Sequence, residues 1–306
     1  MATTRALHDA LAKLLTEQRN SASTDLDTLP VEGILRLINA QDKLVPVAVE
    51  REIPYIAEAV ELVVDALKNG GRLIYVGAGT SGRLGVVDAS ECPPTFGTDP
   101  GLVRGIIAGG EAAMFRSQEG AEDNPESART TIDTLNITPR DVVCGIAASR
   151  RTPFVVAAVA RARELGARTV YVTTNPREEF DLEVDVAICP EVGPEVLMGS
   201  TRMKSGTAQK LVLNMLTTTA MVKLGKVYEN MMVDLQLTNA KLVERSKRII
   251  MLATGVPYDR AAELLDRSGG HVKTAIVMGA AGVPAGEARK RIEQAGGLVR
   301  GAIALP

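Results

Sequence analysis

The sequence predicts an α/β protein: a doubly wound parallel sheet flanked by helices, with a small three-helix appendage at the C-terminal end. Three observations lead there. Short β-branched runs alternate with helical patterns through the middle of the chain. The turns after several of those runs are rich in glycine and hydroxyl residues, which is where parallel sheets bind ligands. Beyond about residue 255 the strand signal stops, and helical stretches ending at glycines follow.

Residues 20–30 are polar and turn-forming, so they read as a loop after a first short helix. Residues 31–70 carry apolar residues at helical spacing. Ile56, Val60, Val63, Val64 and Leu67 share one face, and Asn69-Gly70-Gly71 ends the pattern. Strands are expected at 73–76, 103–108, 142–147, 169–173 and 184–189. Between the third and fourth lies a helix at 152–165, striped by Val155, Val156, Val159 and Ala162. A long helical pattern then runs to Leu224. Three tail helices are expected at 258–268, 272–281 and 285–295, each followed by glycine. The chain thus divides into an N-terminal helical segment (1–50), a sheet domain (51–250) and a C-terminal appendage (251–306).

With 306 residues, 45% of them hydrophobic, the chain can build a sizeable core. A formal net charge of −2 gives no general attraction to nucleic acid or anionic membrane, so neither is expected as a partner. Aromatics make up 3%, too few for base-stacking platforms. Cys92, Cys144 and Cys189 are odd in number and far apart, which suggests reduced thiols and neither zinc nor disulfides. No metal and no cofactor is expected. The first residues lack an apolar targeting core, and no transmembrane run occurs, so the cytoplasm is the expected location.

The most informative stretch is residues 72–85, where an apolar run meets Gly77-Ala-Gly79-Thr80-Ser81-Gly82 and then a helical pattern. Such a turn offers free backbone N–H groups and a positive helix end to an anion, with Thr80 and Ser81 as further donors. Two more turns share that chemistry: Ser149-Arg150-Arg151-Thr152-Pro153 after the third strand, and Gly199-Ser200-Thr201-Arg202-Met203-Lys204 after the last. Several such turns at one sheet edge favour a phosphorylated small molecule. Gly77-x-Gly79-x-x-Gly82 also matches a dinucleotide fingerprint, but the second strand ends in Ala108-Gly109-Gly110 without the ribose-binding acid, and Glu111 comes too late.

Two acidic places stand out. Asp88-Ala-Ser-Glu91 precedes Cys92 and a double proline, and Glu119 and Glu122 stand three apart, on one face if a helix persists there. Most carboxylates only solvate a surface or cap a helix, yet a pair beside a phosphosugar suits proton abstraction and leaving-group protonation. His8 lies near the terminus and His271 begins a tail helix, so neither carries weight.

These residues taken together resemble the N-acetylmuramic acid 6-phosphate etherase family. The resemblance rests on Gly77–Gly85, Asp88–Gly97, Glu119-Gly-Ala-Glu122-Asp123, Gly199–Lys204 and Ala208-Gln-Lys-Leu-Val-Leu-Asn214, and runs from about Glu17 to the end. The family belongs to the sugar isomerase (SIS) superfamily, related to the glucokinase regulatory protein. The resemblance implies an SIS-type fold and a lyase of bacterial cell-wall recycling. Its reaction would be elimination and hydration at the lactyl ether, giving N-acetylglucosamine 6-phosphate and D-lactate without metal or nucleotide. It assigns catalysis to Glu91 and Glu122. It assigns substrate contacts to Gly79, Thr80, Ser81, Glu119, Ser149, Thr152, Ser200, Thr201, Arg202 and Lys204. It also suggests a homodimer, and a ubiquitin-associated-type bundle for the tail.

The chemistry asks for such groups. A carboxylate is a weak base, so burial is expected to raise the catalytic pKa. One position departs from the family pattern: Arg150 stands where glycine is expected, and arginine takes a positive φ only at a cost. A straight helix from Ser81 to Glu91 would span about 15 Å, beyond one hexose phosphate. Either the chain turns back at Gly85 or at the prolines, or another subunit completes the site. The rival readings are a non-catalytic phosphosugar-binding regulator, a phosphosugar isomerase and, last, a dinucleotide enzyme.

Overall fold

The computed structural model describes residues 14–237 and 239–306. His8, and most of the segment expected as a first short helix, lie outside the described residues. The chain packs as two compact units. One contains the residues up to Ser90 together with Gly101–Leu216, the other Glu91–Pro100 with Thr217–Pro306.

In the first unit, the helical region expected at 31–70 is three helices: α1 (Val31–Asp42), α2 (Val45–Glu50) and α3 (Ile53–Lys68). Proline in the first turn of α2 and of α3 sets both restarts, since it costs no hydrogen bond there. Five strands follow in chain order: β1 (Leu73–Gly77), β2 (Val103–Ile107), β3 (Val142–Ile146), β4 (Arg168–Val172) and β5 (Val186–Ile188). They pair in parallel in the order β2-β1-β3-β4-β5, with Leu73 opposite both Val103 and Val142. The order reverses between β1 and β3, which opens a crevice beyond their carboxyl ends. The expected strands lie at the expected places, because strands covered on both faces must be apolar runs.

Two helices, α6 (Pro125–Thr134) and α7 (Pro153–Glu164), bury Ala128, Ile132, Phe154 and Val155 against Ile74, Val76 and Val143. On the opposite face, Gly85 of α4 (Gly79–Phe96) lies against Tyr75 and Ile146. α4 is continuous through Gly85, Pro93 and Pro94, so the chain does not turn back at either place. Its last residues, from Glu91, count with the second unit. At the amino ends of the strands, buried Asp141 accepts bonds from Arg72 N at 2.8 Å, Arg72 Nε at 3.0 Å and Thr138 N at 2.8 Å, which joins the starts of β1 and β3.

A short helix α5 (Ala112–Phe115) follows β2, and α8 (Lys204–Lys223) follows β5. The second unit carries a small antiparallel pair, β6 (Val227–Tyr228) and β7 (Met231–Met232). It continues with α9 (Ala240–Thr254), α10 (Tyr258–Arg267), α11 (Val272–Ala281), α12 (Ala285–Gln294) and α13 (Val299–Ala304). The three tail helices are present, and α13 is a fourth. The boundary drawn at residue 251 falls inside α9. The reason is packing: Ile249 and Ile250 of α9 and Val299 of α13 share one core with Leu264 and Ile276.

Candidate active site

The β1–α4 turn forms one wall. A side chain at Gly77 would bring Cβ within 2.5 Å of Gly82 N, and one at Gly82 would sit 2.8 Å from Gly77 O. The turn therefore closes only with glycine at both positions. Gly82 N donates to Ala78 O at 3.2 Å, and the amides just before it begin the helix without helical acceptors. Ser81 Oγ donates to Oε1 of buried Gln209 at 2.9 Å, which ties this turn to α8.

The turn after β3 forms the facing wall. Asn175 Nδ2 and Thr173 Oγ1 donate to Ala148 O at 2.7 and 2.9 Å. Arg150 takes φ 58°, the left-handed conformation that glycine would adopt freely. Its amide donates to Ala147 O at 3.1 Å, and its carbonyl accepts from Tyr171 Oη at 3.1 Å. Its buried guanidinium reaches Asp181 at 3.1 Å and Glu179 at 3.5 Å. Thr152 precedes α7, and its side chain makes no capping bond.

Between these walls lies a cavity of about 430 Å³. It is lined by Gly79, Thr80, Ser81, Glu122, Ser149, Thr152 and Thr201 from the expected set, and also by Glu17, Asp123 and Arg151. The start of α4 and the start of α7 both reach it, so two positive helix ends face one space. A neighbouring cavity of about 310 Å³ shares Ala78, Gly79 and Glu122, and adds Arg83, Gln118 and Glu119. The expected helix through Glu119 and Glu122 is absent. Gly120 has φ 74°, and Glu122 sits in a short 3-10 turn, so the two carboxylates share a cavity and not a helical face.

Ser200, Arg202 and Lys204 line neither cavity. Lys204 is 1% exposed, and its Nζ donates to Val192 O at 2.8 Å and Gln41 Oε1 at 3.0 Å. Burial lowers its pKa, against the pull of Glu195. The amides of Lys204 and Ser205 each donate to the Glu195 carboxylate at 2.9 Å. An internal acid thus fills the anion position expected at the start of α8. Glu91 lies far along α4 and is exposed, as are Glu119 and Glu122, so the burial expected for them is not found in the single chain. All three cysteines are buried, and burial pushes the Cys189 thiol up to about 11 and the Cys144 thiol higher still. These are inert thiols.

Sequence reasoning passed over Glu17, Asp123 and Arg151. Each had a signal: Glu17 opens the family-like region, Asp123 adjoins Glu122, and Arg151 lies in a turn already singled out.

Two family models match the chain: the glucokinase regulatory protein N-terminal SIS domain over residues 55–163, and the SIS domain over residues 124–219. The N-acetylmuramic acid 6-phosphate etherase of Salinibacter ruber is 66% identical over 89% of this chain and 88% of its own length. That of Caldanaerobacter subterraneus subsp. tengcongensis is 55% identical over 87% of each. A phosphoheptose isomerase structure from Neisseria gonorrhoeae matches 62% of this chain and 98% of its own, with 18% identity and a TM-score of 0.46. With 66% identity to a curated relative across 89% of this chain, the chain belongs to the N-acetylmuramic acid 6-phosphate etherase family.

Proposed function

We propose that this protein is a lyase that opens the D-lactyl ether of N-acetylmuramic acid 6-phosphate, yielding N-acetylglucosamine 6-phosphate and D-lactate. One observation carries the reading beyond family membership: two helix starts and their hydroxyls meet at a cavity that also holds Glu122. The helix ends suit the phosphate, and the carboxylate suits the proton transfers.

The sugar opens to its aldehyde, which acidifies the neighbouring carbon. Glu91 takes the proton from that carbon and delivers it to the ether oxygen as the carbon–oxygen bond breaks, so that lactate leaves carrying that oxygen as its hydroxyl. Glu122 then activates the water that adds to the resulting double bond. Gly79, Thr80, the Ser81 amide, Ser149 and Thr152 hold the phosphate, with Arg151 as the cation beside it. Glu119 faces the sugar from the adjoining cavity.

The unbroken α4 supports a site shared between two copies, with Glu91 supplied to the cavity by the other chain of a homodimer. The protein acts in the cytoplasm, where a charged sugar phosphate is retained and where buried cysteines stay reduced. Among the described residues, no helix is long and apolar enough to cross a membrane.

The direct test is incubation with N-acetylmuramic acid 6-phosphate and assay for D-lactate and N-acetylglucosamine 6-phosphate. Stoichiometric release of both supports the lyase. Binding without release points to a regulator, and an altered sugar phosphate without lactate points to an isomerase.

A further inference from the structure

We propose that Arg83 is a positioning residue: it ties the phosphate-gripping start of α4 to the segment bearing Glu119 and Glu122, and so sets where Glu122 stands over the sugar. The inference rests on the etherase reading and adds a residue to it.

Arg83 directly follows Gly82, so its backbone belongs to the turn that closes the phosphate wall. Its side chain reaches the other way. Nη2 donates to Ala113 O at 2.7 Å and Nε donates to Met114 O at 3.0 Å. α5 is a single turn, whose carbonyls have few helical partners, and a planar guanidinium fork can serve two of them at once.

The segment after α5 has little rigidity of its own. Residues 115–120 are exposed, and the structure up to Asp123 consists of single turns, such as Ala121 N to Gln118 O at 3.3 Å and Asp123 N to Gly120 O at 3.2 Å. Its geometry must come from anchors at its ends. On the far side, Asn124 Oδ1 accepts from Ser127 N at 2.9 Å and begins α6. On the near side Arg83 holds the α5 carbonyls. Between them Gln118 packs over Gly109, where an added Cβ would come within 2.9 Å of the Gln118 Cβ. Arg83, Gln118, Glu119 and Glu122 then line one cavity, whose wall at Gly79 and Glu122 is shared with the phosphate cavity. One arginine thus couples the two functions: the helix that grips the ester also aims the acid.

The test uses the full chain with Arg83→Met, which keeps an apolar stem without donors, and Arg83→Lys, which keeps the charge without the fork. For Arg83→Met, kcat for lactate release is expected to fall roughly a hundredfold, the scale of a misplacement of about 1 Å. Affinity for N-acetylglucosamine 6-phosphate, held at the other wall, is expected to stay within about threefold by calorimetry, because loss at the chemical step need not weaken ground-state binding. Arg83→Lys should lie between. Combining Arg83→Met with Glu122→Gln should cost little more than Glu122→Gln alone, because both act through one carboxylate.

Unchanged kcat, equal losses of kcat and sugar-phosphate affinity, or full additivity in the double variant would overturn the assignment. Where Arg83→Met does not fold, Arg83→Lys decides on the same measurements. A wild-type protein that releases no lactate refutes the functional reading itself, whereas release by wild type and Arg83→Met alike refutes only the role of Arg83.

Discussion

Arg150 and Asp181 meet at 3.1 Å, an ion pair made by a left-handed arginine in the turn that walls the candidate site. The guanidinium does not line the cavity; the neighbouring Arg151 does. A left-handed non-glycine residue costs roughly 1–2 kcal/mol, and partly exposed ion pairs return about 0–1 kcal/mol each. Arg150→Gly removes both terms and should shift stability by less than about 1 kcal/mol. Arg150→Ala keeps the strain without the pairs and should destabilise by about 1 kcal/mol. Urea midpoints of the two variants against wild type check the order, and an alanine variant more stable than the glycine one contradicts it.

Thr152 reaches the cavity with a hydroxyl that caps nothing in its own helix. Thr152→Val keeps the shape and deletes the donor. A hydrogen bond to a charged group is worth about 1.5–3 kcal/mol, so KM should rise roughly ten- to hundredfold with kcat little changed. Steady-state lactate release measures both. A fall in kcat at constant KM would place Thr152 in the chemistry instead of the phosphate grip.

In the proposed reaction Glu91 and Glu122 serve different steps, and in the proposed homodimer they come from different copies of the chain. Glu91→Gln and Glu122→Gln should each lose at least about a hundredfold in lactate release, on the scale of general acid–base catalysis. Near-normal release by Glu91→Gln at saturating substrate would remove it from the elimination. Mixing the two variants, unfolding and refolding them together, should regain activity, because a mixed pair contains one cavity with both glutamates. No recovery from a verified mixed dimer would argue against a shared site.

Asp141 gives the sheet unit a pH dependence. Burial alone would raise its pKa, but bonds from Arg72 and Thr138 outweigh that and hold it below the usual carboxylate range. A depressed folded pKa means that this stabilisation is complete above the unfolded value of about 3.9 and is lost as pH falls through the folded one. Asp141→Asn should destabilise by about 2–4 kcal/mol near neutrality, since it leaves Arg72 without its charged partner. It should also flatten the fall in stability below about pH 4. Urea midpoints across that range test the claim, and parallel curves for variant and wild type would refute it.

Much of this protein is legible before any coordinates. The inner strands β1, β3 and β4 announce themselves because strands buried on both faces must be largely apolar runs, while the edge strand β2 tolerates exposed Arg104. The phosphate turn does so because Gly77 and Gly82 touch, and no side chain fits between strand and helix there. Less was readable where structure is made by distant partners. Lys204 sits in a stretch of anion-binding character, yet its Nζ is held by Gln41, 163 positions earlier. Glu119 and Glu122 have helical spacing, but Gly120 at φ 74° makes that spacing irrelevant. The fourth tail helix was hidden because α13 is short and gains its apolar partners only from the core it joins.

By itself, then, the amino-acid order determined the α/β class, the strand positions, the glycine turn and the family. Each depends on local patterns or on close contacts that only particular residue types permit. The tertiary structure alone decided which side chains of those turns face the cavity. It turned Arg151 inward, spent Arg150 on Asp181, buried Lys204, and closed the start of α8 with Glu195. Side-chain direction follows from partners far along the chain, because a buried charge must be paired wherever the fold brings its partner.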